Sequence, residues 1–210
     1  MRACYFIALL FIFGESVAGT PEVSDPQTLV NTTIETLRQH VRDEQERIEN
    51  DQEYAMGLID RYMSPYMDLS VTSRFVLGAH WRRASTEQRE AFVSALKALL
   101  LRIFAVHISD YQDAKVSYKP TIYKGEDNQR AVVRSTVSKP GIPPIRVDYR
   151  FYKGAGVWKV YDAVIYGVSL VKTYRLTAQY ELKTQSLDEL IAKMNAMAPV
   201  GVEMVQDKHP

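Results

Sequence analysis

The side chain whose type and setting could do chemistry is Asp162, in the stretch "WKVYDAVIYGVSLVKTYR" from Trp158 to Arg175. A carboxylate desolvated among apolar neighbours titrates high and can serve as a general base. The competing reading is that Asp162 faces solvent or pairs with a cation such as Lys159 or Arg175. Nothing in the sequence supplies a second acid or an oxyanion device to work beside it. There is no GxSxG, no HExxH and no glycine-rich phosphate loop. His40, His80, His107 and His209 are scattered, with no two at metal-ligand spacing, so neither a metal nor a cofactor is expected.

Charge narrows the ligand. Lys and Arg number 26 against 25 Asp and Glu, a net charge of +1, and no basic cluster dominates any segment. The footprint of a nucleic-acid binder is missing, and no nucleic acid is expected as partner. At the start, Arg2 precedes an uncharged run from Ala3 to Phe13, and Ser16-Val17-Ala18 places small residues where a signal peptidase reads. A cleaved signal over residues 1–18 is the expectation, with one domain over 19–200 and a C-terminal tail over 201–210. The single cysteine, Cys4, lies at the start of the uncharged run rather than after it, the wrong side for a lipidated cysteine. A secreted domain without disulfides has to be held by its core.

The elements that position these residues divide into a helical first half and a stranded second half. Pro26 after Ser24 and Asp25 predicts a helix start, and Val30, Ile34, Leu37 and Val41 follow at helical spacing. The charged segment "RDEQERIENDQ" reads as the solvated end of that helix and a connection. Further helices are predicted around Tyr54 to Tyr62, closed by Pro65, and in "MDLSVTSRFVL", ending at Gly78. Ser85 and Gln88 form a capping box for a helix whose stripe of Phe92, Leu96, Leu99, Leu100, Ile103 and Phe104 is wider than a coiled-coil seam needs. Such a stripe is either ordinary core or, in part, the wall of a cavity.

From Ala114 the period becomes two, and four segments separated by "KGEDN", "PGIP" and "GAG" read as an antiparallel four-stranded meander. In the third strand Ile145, Val147, Tyr149 and Phe151 alternate with Arg146, Asp148, Arg150 and Tyr152, giving an oily face and a mostly charged one. Strict alternation in the last strand would put Trp158, Val160, Asp162 and Val164 on one face. Gly167 permits a tight turn there, and Ser169 is placed to cap the helix that follows. A final helix starts at the capping box Ser186 to Glu189.

Three segments in order carry a family resemblance. "RFVLGAHWRRASTEQREAFVSALKALL", "PPIRVDYRF" and "WKVYDAVIYGVSLVKTYR" resemble the motifs of the MlaC-type, or toluene-tolerance, family of periplasmic phospholipid-binding proteins. The similarity runs from about Leu29 to Met197. The charged segment from Glu44 to Gln52 departs from the pattern without threatening it. The resemblance implies an α+β fold, a curved antiparallel four-stranded meander packed with helices into a single domain that encloses an apolar cavity. It also implies a monomeric periplasmic lipid carrier rather than an enzyme. Such a carrier exchanges phospholipid, two acyl chains buried, with an outer-membrane lipoprotein complex and an inner-membrane ABC transporter complex, and so maintains outer-membrane lipid asymmetry. Some relatives are associated with hopanoid lipids instead, and an isomerase-like enzyme using Asp162 on a hydrophobic substrate is the main alternative. An adaptor whose apolar surfaces only pack a core is a third.

Carrying explains the missing chemistry. Two acyl chains hold roughly thirty methylenes, worth about 0.8 kcal/mol each out of water, so only a comparably oily interior can take them from a bilayer. The expected lining, on shared apolar faces, is Phe75, Phe92, Leu96, Leu100, Phe104, Ile145, Val147, Tyr149, Phe151, Val168 and Leu170. Arg82 and Arg83, at a helix end, are the candidates for a partner-binding patch. Asp162 then becomes a structural anchor.

Overall fold

Asp25 opens the first helix as its sequence predicts: its carboxylate accepts the Thr28 N–H at 2.8 Å, and Pro26 occupies the first helical position. The computed structural model describes residues 25–197. The expected signal over 1–18, the domain limits at 19 and 200 and the tail over 201–210 lie outside those residues. Helix α1 spans Pro26–Asp43 and buries Leu29, Val30, Leu37 and Val41. The charged segment after it is not a bare connection. It forms a short helix, α2 (Gln45–Asn50), because Ile48 is buried among apolar side chains of α1 and α3 (Gln52–Met63). A single-turn 3₁₀ helix at Ser64–Tyr66 contains Pro65 and ends that run.

Helix α4 (Leu69–Leu77) stops at Gly78, whose φ of +56° a side chain rarely adopts. A Cβ there would also lie 3.1 Å from the Arg175 guanidinium. Helix α5 (Ala79–Arg83), not anticipated from sequence, fills the interval before the capping box of Ser85 and Gln88 opens α6 (Thr86–His107). The breadth of the α6 stripe has a simple cause. One side of it packs on α4 and on the terminal helix α8 (Leu187–Ala196), while Leu101, Phe104 and Ala105 pack on the α1–α3 side.

The sheet carries β1 (Lys115–Lys124), β2 (Arg130–Ser138), β3 (Ile145–Gly154), β4 (Val157–Ile165) and β5 (Val168–Ser169) in sequential antiparallel order. The fold is the expected α+β meander, lengthened by the two-residue β5. Type I′ geometry joins β3 to β4 through Ala155 and Gly156 and joins β4 to β5 through Tyr166 and Gly167, all four at positive φ. Ser169 then caps α7 (Leu170–Glu181), accepting the Lys172 N–H at 3.1 Å.

One sequence expectation fails here. Arg150 pairs with Asp162 but Phe151 pairs with Val160, so Tyr161 is an extra residue, a β-bulge. The bulge resets the alternation. Trp158 and Val160 stay on the oily face with Phe151, whereas Asp162 and Val164 turn to the charged face with Arg150 and Asp148.

Candidate functional site

Among the described residues the buried apolar side chains form three clusters rather than one continuous core. The first joins α4, α6, α7 and α8 around Phe92, Leu96 and Leu190. The second joins α1, α2, α3 and α6 around Val41 and Ile59. In the third, Leu29 and Val30 of α1 cover Ala131, Val133, Phe151 and Trp158 on the oily face of the sheet. Helix α1 therefore ties the sheet to the helical layer, with its first turns on the strands and its last turns on α3.

The expected lining residues do not share one wall. Phe92, Leu96 and Leu100 belong to the helical cluster and Phe151 to the sheet cluster, all buried. Phe104 is half-buried and packs against both the first and the second cluster, at the seam between them. Ile145 is buried; Val147 and Tyr149 are half-buried on the same oily face as Phe151. Leu170 is half-buried in the first turn of α7. Phe75 and Val168 are 45% and 58% exposed. Phe75 lies off the Thr72, Ser73, Val76, Leu77 stripe that α4 turns inward, and its ring sits 5.6 Å from that of Tyr161. In β5 it is Ser169 that points inward, which leaves Val168 outside.

Between α6, α7 and α8 lies an apolar cavity of about 70 Å³, lined by Phe92, Leu96, Leu99, Tyr174, Leu190 and Met194 among others. Glu181 and Lys193 also line it and are ion-paired at 2.7 Å. The contributions of Tyr174, Leu190 and Met194 were not read from the sequence. Leu187, Leu190, Ile191 and Met194 recur at helical spacing and mark an apolar face on α8, but nothing in that spacing says that α6 is the neighbour.

The oily face of the sheet carries three phenols, Tyr118, Tyr123 and Tyr149, all raised by burial, and two of them furthest. Burial pushes Tyr149 up to about 12, with a hydrogen bond to Ser135 acting in the opposite direction. Burial is also the main cause that raises Tyr118 to about 12, and its buried hydroxyl has no partner among the described residues. Neutral walls are what an apolar ligand requires.

Asp162 is engaged on both oxygens. Its Oδ2 accepts from Arg150 Nη1 at 2.9 Å and from Ser169 Oγ at 2.7 Å, and its Oδ1 accepts the Val171 N–H at 3.1 Å. Arg150, not Lys159 or Arg175, is the paired cation, and the Asp162 side chain is only 2% exposed. The carboxylate sits at the N-terminus of α7, where the helix dipole favours a negative charge. Its contacts are those of an anchor joining β3, β4 and α7. Arg82 and Arg83, at the end of α5, are both exposed.

A protein-family model described as "MlaC protein" matches residues 31–196. Among curated relatives, the "Intermembrane phospholipid transport system binding protein MlaC" of Haemophilus influenzae is 26% identical over 198 residues, 92% of each chain. The "Toluene tolerance protein ttg2D" of Pseudomonas putida is 22% identical over 157 residues, 74% of this chain and 72% of the relative. A solved structure of a phospholipid-binding protein from Ralstonia solanacearum, in complex with a phospholipid, superposes with a TM-score of 0.74 at 28% identity. It covers 81% of this chain and 95% of the other.

Proposed function

The chain belongs to the MlaC protein family, and from that membership together with its divided apolar interior we propose that it is a phospholipid carrier. The observation that carries the reading is the likeness, over most of both chains, to a solved protein that holds a phospholipid. Loading has a mechanical requirement. The cavity of about 70 Å³ is smaller than one of ~150 Å³ that accepts benzene, so acyl chains enter only when packed layers part. Three clusters with a half-buried seam at Phe104 can separate at lower cost than a single core, because the contacts within each cluster survive. The chains then lie against Phe104 and the neighbouring α6 side chains, with Val147 and Tyr149 as the sheet wall.

The carrier works in the periplasm after removal of an N-terminal signal. It passes phospholipid between an outer-membrane lipoprotein complex and an inner-membrane ABC transporter complex, and so supports lipid asymmetry of the outer membrane. Handing a lipid over through water would expose roughly thirty methylenes at about 0.8 kcal/mol each, so delivery takes place inside a sealed complex. Exposed Arg82 and Arg83 form the partner patch. Labelled phospholipid loaded on the protein should pass to a reconstituted partner. The pair Arg82→Glu and Arg83→Glu should slow that transfer while the bound lipid is retained. Transfer at the unaltered rate in physiological salt removes this patch from the account.

A further inference from the structure

The charged face of the sheet has no role in the apolar interior. Directly opposed residues share a face, and the register sets Lys119, Arg134 and Asp148 in one row, with Thr136–Arg146 and Lys124–Arg130 in rows to either side. With Lys115 at its end, this face gathers six cations, Lys115, Lys119, Lys124, Arg130, Arg134 and Arg146, against Asp148. The second acid of the face, Asp162, is already held by Arg150. In a chain of net charge +1 this is a local concentration. Among the described residues none of the six is ion-paired. A recess of about 280 Å³ opens there, lined by Lys119, Arg134, Thr136, Arg146, Asp148 and Tyr166 among others. The Nε of Arg134 is buried with no hydrogen-bond partner, a donor that folding alone leaves unsatisfied.

We propose that this face of β1 to β3 docks on the surface of anionic phospholipid bilayers, the recess seating one head-group phosphate. A guanidinium beside a second guanidinium and an ammonium is suited to a phosphate, which accepts two N–H bonds from one arginine. Spread over three strands about 4.8 Å apart, the cations cover more than one anion can meet. On β1 to β3 this face exposes no large apolar side chain, and the exposed ring that borders the recess, Tyr166 of the β4–β5 turn, is amphipathic and of the kind that seats at head-group level. Protein interfaces are built around apolar anchors and are poor in lysine, so a leaflet of mobile anionic head groups is the better match. The surface is separate from the interior site, and its failure would leave the carrier reading untouched.

Flotation of the full chain with vesicles tests it. The chain should bind phosphatidylcholine vesicles that contain phosphatidylglycerol, not phosphatidylcholine alone, and binding should weaken from low to physiological salt. Each basic residue near such a surface contributes about fivefold, so Arg134→Glu with Arg146→Glu should lower affinity by ~25-fold or more. Native mass spectrometry should find interior lipid retained in that variant. Should it misfold, Lys115→Glu with Lys119→Glu on the exposed edge strand makes the same test. Absence of binding to anionic vesicles, or binding unchanged in the folded variants, overturns the proposal. So does capture by immobilised polyglutamate, or saturable binding of inorganic phosphate, without vesicle binding.

Discussion

Asp162 shows how one side chain can look catalytic in sequence and structural in space. An acid within an apolar strand invites a desolvated base, yet two side-chain donors and one backbone N–H surround it. Those donors join the β3–β4 hairpin to the first turn of α7. In Asp162→Asn the amide can no longer accept on both sides, and Arg150 loses its counter-charge. The Arg150 side chain is 37% exposed and water takes up part of the loss, so the change costs roughly 2 kcal/mol and should lower the melting temperature by about 4–8 °C. A thermal scan that overlays the parent protein would remove the anchor role. The partner could not be read from the sequence for a definite reason. Counting back from the tight turn at Ala155 and Gly156, a regular register opposes Arg150 to Tyr161, and only the bulge moves Asp162 into that place.

Among the elements, α6 joins two of the clusters, and its properties were largely legible. The capping box, the length and the stripe of Phe92, Leu96 and Leu100 all follow from local sequence. The capped starts of α1, α7 and α8, the four long strands and the oily and charged faces of β3 were legible for the same reason, since period and capping chemistry are local. The partners of each face were not. Which part of the α6 stripe meets α3 and which meets α8 depends on contacts between segments far apart in the chain. That is why a lining drawn from periodicity mixed Phe92, deep in the helical cluster, with Phe75, which is half exposed. Helix α5 and the short α2 carried too few residues to show a period. Phe104, at the seam, is the position where the carrier reading makes its sharpest demand on this helix. Phe104→Asp would set an unpaired charge against acyl chains, a desolvation cost of several kcal/mol, and lipid retention should be lost. Circular dichroism and a melting curve establish that the variant is folded. A folded variant that still holds lipid would take this face of α6 out of the site.

For the molecule as a whole, the division of the interior into three clusters is the feature that links structure to carrying. A single core resists opening everywhere at once, whereas an interior divided between clusters can part along the seam at Phe104 without unfolding, while α1 and the Asp162 anchor on α7 keep the sheet attached. The lipid itself replaces the contacts given up, because its chains are as apolar as the side chains they displace. The central claim is therefore that a phospholipid occupies the interior of the folded chain. Native mass spectrometry of protein purified from a phospholipid-containing host, with no lipid added, examines it directly. The account predicts a population heavier than the bare chain by the mass of one diacyl phospholipid, released as lipid on collisional activation. A bare mass alone, or a small planar molecule in place of the lipid, would contradict it.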